Sequence, residues 1–129
     1  MKYSIVVFFA ITYTFLFLGC KKTQESIPNP VGSWEANKDI GGESAGSTFS
    51  PGNGNIYSFT STSFKKFELG NLIDSGDYKI INENYQDFSY RLILNNNYTS
   101  KYYVKVENNN LIIAWDGLIK YTRLYIRIP

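Results

Sequence analysis

From residue 55 to the C-terminus, apolar and polar side chains alternate with a period of two, and runs of asparagine interrupt the pattern at short intervals. Successive side chains of a strand point to opposite faces, so this alternation specifies half-buried strands. NIYSFT (55–60) puts Tyr57 and Phe59 on one side, and SFKKFEL (63–69) follows a short Ser/Thr turn. IDSGDYKII (73–81) begins after the Gly70-Asn71 break. DFSYRLIL (87–94) aligns Phe88, Tyr90, Leu92 and Leu94 against Ser89 and Arg91. KYYVKVE (101–107) aligns Tyr102, Val104 and Val106, and LIIAWD (111–116) aligns Leu111, Ile113 and Trp115. In YTRLYIRI (121–128), Leu124, Ile126 and Ile128 alternate with Arg123, Tyr125 and Arg127. Tyr103, Tyr121 and Tyr125 are expected to point outward. No stretch beyond residue 20 has a helical period.

The interruptions are turn chemistry: Asn82-Glu83-Asn84, Asn95-Asn96-Asn97, Asn108-Asn109-Asn110 and Asp116-Gly117. Asparagine tolerates positive φ and hydrogen-bonds its own backbone, so such runs close hairpins. Links this short allow only antiparallel neighbours. With Val31-Gly32-Ser33-Trp34 as the first strand, about eight strands follow one another in a meander. A flat meander leaves two raw edges, and closure into a barrel removes them. The expected fold is all-β, a small closed eight-stranded barrel, with an open sandwich of the same strands as the alternative. Residues 38–55, rich in Gly, Ser and Asn, read as a long loop, either flanking a barrel mouth or a disordered insertion.

The N-terminus has a different grammar. Lys2 precedes an uncharged, almost wholly apolar run at 3–18, the pattern of a secretory signal helix. The run is shorter than the ~20 residues a permanent span needs. It stops at Gly19-Cys20, the only cysteine in the chain. Residues 21–30 are polar with two prolines and read as a flexible linker. The domain reading is therefore a leader at 1–19, Cys20 and a linker at 20–30, and one β domain at 31–129.

Phe17-Leu18-Gly19-Cys20 resembles the lipobox of bacterial lipoproteins, which implies cleavage before Cys20 and acylation of its thiol. Gly32-Ser33-Trp34 is similar to the Gly-x-Trp opening of lipocalin-type barrels, and Ser75-Gly76-Asp77-Tyr78-Lys79-Ile80 resembles their Gly-x-Tyr strand. Together these make the chain resemble the small lipocalin-like lipoproteins common in Bacteroidota. The resemblance implies a membrane anchor at Cys20 and an arginine of the last strand, Arg123 or Arg127, packed across Trp34. Lys21 follows the cysteine where an Asp would hold the protein at the inner membrane. By similarity to enterobacterial sorting, this implies a place in the cell envelope at the outer membrane.

Little else in the chain carries chemistry. There is no histidine, hence neither the commonest general base nor the commonest transition-metal ligand. One cysteine allows no internal disulfide and no Cys-rich zinc site. The formal charge of +2, with lysines no denser than Lys21-Lys22 and Lys65-Lys66, gives no footprint for nucleic acid. Asp74, Asp77, Asp87 and Asp116 read as turn-formers rather than an acid/base pair, and SPGNGN (50–55) lacks the Lys-Ser/Thr of a phosphate loop. The expectation is no enzyme, no cofactor and no metal. Aromatic surface remains. Trp34, Tyr57, Phe59, Tyr78, Tyr90, Tyr102 and Trp115 are the candidate lining for a small hydrophobic or amphipathic ligand. The alternative is that the same rings fill the barrel and the protein acts on a protein partner through its surface.

Overall fold

The computed structural model describes residues 25–117 and 120–129. The leader and Cys20 lie outside the described residues. Eight antiparallel strands run in chain order: β1 (Gly32–Gly42), β2 (Ile56–Phe59), β3 (Ser63–Glu68), β4 (Asn71–Tyr85), β5 (Phe88–Leu94), β6 (Tyr102–Glu107), β7 (Asn110–Trp115) and β8 (Tyr121–Ile128). Each pairs with the next, and β8 pairs back onto β1, so the barrel is closed.

Turns obey the asparagine rule where both central residues take the left-handed conformation. Asn95 and Asn96 (φ 53° and 55°) and Asn108 and Asn109 (φ 50° and 59°) do so, as do Leu69 and Gly70 between β3 and β4. The Ser/Thr turn between β2 and β3 is closed by Thr60, whose hydroxyl accepts from the Ser63 amide at 3.0 Å.

Three expectations need correction. Asn82-Glu83-Asn84 is not a turn: β4 stays extended to Tyr85, and the chain reverses at Gln86-Asp87, with Gln86 at φ 50°. The asparagines fall at a register shift between Asn82 and Tyr85, a bulge that bends the strand. The 38–55 segment is loop only from residue 43, because β1 continues through Gly42 with two register shifts against β8. In β8 the parity is the reverse of the aliphatic reading. Arg127 pairs with Trp34, Tyr125 with Ala36 and Leu111, and Arg123 with Ile113, so the arginines and tyrosines face inward. Leu124 faces outward.

The interior cluster draws on seven strands: Trp34, Ala36, Tyr57, Phe59, Phe64, Tyr90, Leu92, Leu94, Val104, Leu111, Ile113 and Tyr125 are all buried in it. Tyr78 and Ile80 of β4 pack against it. A second, smaller cluster lies on the outer face, where Phe88 joins Tyr103, Ile112 and Ala114, with Tyr85 and Leu124 beside them. It exists because the β4–β5 hairpin folds back. β5 bridges β6 only at Arg91 and Leu92; beyond them the hairpin leaves the sheet and lies over β6–β8. Tyr85 stacks on Tyr103 at 4.4 Å and donates to Asp116 at 3.0 Å. Tyr103 is thus outward, as expected, yet only 3% exposed.

Candidate functional site

The two ends of the barrel are built differently. One is crossed by residues 25–31. The Trp34 indole donates to the Pro30 carbonyl at 2.6 Å, Tyr90 donates its hydroxyl to the Glu25 carbonyl at 2.7 Å, and Arg127 donates to the Val31 carbonyl at 3.1 Å. The Arg127 guanidinium lies 4.2 Å from the Trp34 ring centre, so the arginine–tryptophan contact is present and Arg127, not Arg123, makes it. A Cβ on Gly32 would collide with that guanidinium, and Gly32 sits at φ 130°. Glycine, arginine and tryptophan are therefore one device that seals this strapped end.

The other end carries the loops, and its interior is ring-lined and polar-tipped. Tyr57 and Tyr125 meet edge to face at 5.5 Å, and Trp115 and Tyr121 do so at 5.9 Å. Burial pushes the Tyr57 and Tyr125 hydroxyls well above the usual tyrosine range, so both stay protonated. Between these rings Arg123 pairs with Asp39 at 2.6 Å, and Ser44 donates to the same carboxylate at 2.9 Å. Burial acts to raise the Asp39 carboxyl, but the hydrogen bonds from Arg123 and Ser44 outweigh it and hold the group below its ordinary value. The Arg123 guanidinium also lies 4.5 Å from the Phe49 ring centre, which packs onto the interior cluster. The cleft between Tyr57, Lys66, Arg123 and Tyr125 has a volume of ≈ 10 Å³, space for about one water.

The 43–55 loop is an ordered part of this end. Gly52 and Gly54 donate their amides to the two carboxylate oxygens of Glu35 at 2.9 and 3.1 Å. Phe49 donates its amide to the Asn37 carbonyl at 2.8 Å, and Asn53 donates its side-chain amide to Ala36. Glycine amides in SPGNGN do cradle an anion, and that anion is the protein's own Glu35.

All seven candidate ligand residues lie on inward-facing positions. Trp34, Tyr57, Phe59 and Tyr90 are buried in the core. Tyr78 and Tyr102 are partly buried against it, and Tyr78 donates its hydroxyl to the Thr60 carbonyl at 2.9 Å. Trp115 is half-buried at the loop-end rim. The fold thus separates them: only Tyr57, Tyr102 and Trp115 belong to the loop end, and Trp34 and Tyr90 close the other. Sequence reasoning missed Tyr121, Arg123 and Tyr125 as interior groups. The signal available was their pairing across β8 with the inward set of β7. Cys20 lies outside the described residues. No protein-family model, curated protein or solved structure matches the chain.

Proposed function

We propose that the protein is a lipid-anchored cell-envelope barrel of the lipocalin-like kind, with a filled core, that acts on a protein partner through its loop end as an inhibitor or accessory subunit. The observation that carries this is the path of the N-terminal segment. Residues 25–31 are strapped across one end of the barrel, and Cys20 lies five residues before Glu25, a reach of at most ~18 Å. An acylated Cys20 holds the strapped end against the bilayer, each buried CH₂ adding ~0.8 kcal/mol, and the loop end faces away. Among the described residues, five of the eight exposed large apolar side chains lie there, Leu69 (77% exposed), Tyr98 (56%), Leu72 (54%), Ile73 (48%) and Ile40 (44%), against Ile27 (68%) and Val31 (41%) on the strap and Ile81 (36%) lower on β4. Such a concentration is the mark of an interaction surface. Lys21 after the cysteine fits outer-membrane sorting by the enterobacterial rule.

The test has two arms. Cys20→Ser is expected to move the protein from the membrane to the soluble fraction. A photo-crosslinking residue at Leu72 in intact cells is expected to give a discrete protein adduct, and the same residue at Ile27 none. A Cys20→Ser protein that stays on the membrane sinks the anchor, and adducts from Ile27 alone sink the orientation.

A second reading rests on Tyr102 and Trp115, which are only half-buried at the loop end: carriage of a small hydrophobic or amphipathic molecule against those rings. Native mass spectrometry of the purified protein separates the two. A stoichiometric bound mass that is lost in Tyr102→Ala establishes carriage.

A further inference from the structure

The strap across the closed end of the barrel reads Ile-Pro-Asn-Pro-Val at 27–31. Its carbonyls bond to the barrel: Pro30 accepts from the Trp34 indole at 2.6 Å and Val31 from Arg127 at 3.1 Å. Two of its side chains turn the other way, Ile27 at 68% exposed and Val31 at 41%. We propose that Ile27 and Val31 dock into the interfacial layer of a lipid bilayer and so set the barrel upright on the membrane. This deepens the anchored orientation proposed above and rests on it.

Reach, backbone and charge argue together. Cys20 lies five residues before Glu25, a span of at most ~18 Å, so an anchor there keeps the strap at headgroup height. That gap is too thin for a folded partner, since a domain of about 100 residues has a radius of gyration of ~13 Å and is about 30 Å across. Unpaired amide donors oppose contact with lipid, because they leave water without a new partner. Pro28 and Pro30 have no N–H, and the Val31 amide donates to the Asn29 side chain at 3.1 Å. Three of the five positions at 27–31 thus bring no free donor to the lipid. Beside the strap, the Asn108-Asn109 turn is uncharged, and Asn109 accepts from Arg127 at 3.1 Å. Glu107 before it is paired with Lys105 at 3.5 Å, and Glu25 accepts from Ser89 at 2.6 Å. Arg127 is exposed, and Lys21 and Lys22 lie in the chain between the cysteine and the strap, so cations are at hand for lipid phosphates. β1, Gly32–Gly42, advances about 25 Å along the barrel axis at the usual strand rise and tilt. Ile40 and Ile73 at the loop end therefore stay clear of the lipid when the strap lies on it.

Isoleucine and valine methyl resonances read both ends of the barrel at once. The full chain, with the anchor its cells give it, is placed in nanodiscs of phosphatidylethanolamine and phosphatidylglycerol. A lipid with a nitroxide near the top of its acyl chain is added, which broadens methyl groups close to the interface. The expected result is loss of the Ile27 and Val31 signals, with those of Ile40 and Ile73 kept. Ile27→Glu changes an exposed side chain and is expected to restore the Val31 signal while the protein stays on the disc by its anchor. Ile27 and Val31 signals that survive the nitroxide overturn the proposal. Equal loss at Ile40 and Ile73, or a Val31 loss untouched by Ile27→Glu, overturns it too. A chain that does not join the discs overturns the anchor and this proposal together, whereas one that joins them with Ile27 sharp overturns this proposal alone. An uncleaved leader in place of an acylated Cys20, read from the intact mass, leaves the test valid, since either one brings Glu25 close to the lipid. None of these outcomes alters the crosslinking result at Leu72.

Discussion

Gly32 is glycine because of a residue in the last strand. Arg127 reaches across from β8, lies on the Trp34 ring and leaves no room for a Cβ at Gly32. A cation–π contact from an exposed arginine contributes about 0.5–1 kcal/mol, and here it also shields a tryptophan that is 0% exposed. The Gly-x-Trp pattern was readable in the chain, but which arginine answers it was not. That choice depends on the inward parity of β8. At the opposite end the decisive pair is Asp39 with Arg123. Because the Asp39 carboxyl is held below its ordinary 3.8, its contribution is fully present above that pH and is lost as pH falls through the lowered value. The gap in unfolding free energy between the natural protein and Asp39→Asn is therefore expected to be about 2 kcal/mol at neutral pH and smaller at a pH well below 3.8. Urea titrations at both pH values check this, and a gap that persists undiminished at low pH refutes the pairing. The pair did not stand out in the sequence, since Asp39 lay in what read as loop and Arg123 was marked only as one of two candidates for the Trp34 contact.

At the scale of elements, period-two alternation located β2, β3, β5, β6 and β7 closely, because each keeps one face against the core along its length, although the second faces of β5 and β7 are largely buried as well. It failed at both long strands for the same reason. β1 and β4 outrun their partners and bend at register shifts, so their side chains change faces within the strand. The fold-back of the β4–β5 hairpin is the clearest case. Phe88 shares parity with Tyr90, yet it joins the outer cluster with Tyr103 and Ile112. Because it is 7% exposed there, Phe88→Ala is expected to cost about 3 kcal/mol. It should also release the hairpin, so that amide exchange at 82–88 quickens more than exchange in β6 and β7. Uniform quickening, or none, would mean that the hairpin is not held by that cluster.

For the whole molecule, closure is the consequential feature, since it joins the two ends of the β domain and gives them opposite characters. Ser33 and Ile128 are direct partners across the β1–β8 seam. Cysteines at both positions are expected to crosslink on oxidation. By the chain-entropy estimate for a loop near 100 residues, the bond adds about 4.7 kcal/mol, read as a raised unfolding midpoint. In an open sandwich with β1 and β8 apart, no such bond forms. The sequence by itself determined the strand count, the antiparallel meander and most of the inward set, because those follow from local rules of alternation and turn preference. It also supplied the lipobox-like cysteine, which lies outside the described residues. Only the tertiary structure decided which face of β8 turns inward, where the hairpin lies, and which rings seal one end and which line the other. Those outcomes depend on register between strands far apart in the chain, and a one-residue change in register exchanges every inward side chain for an outward one.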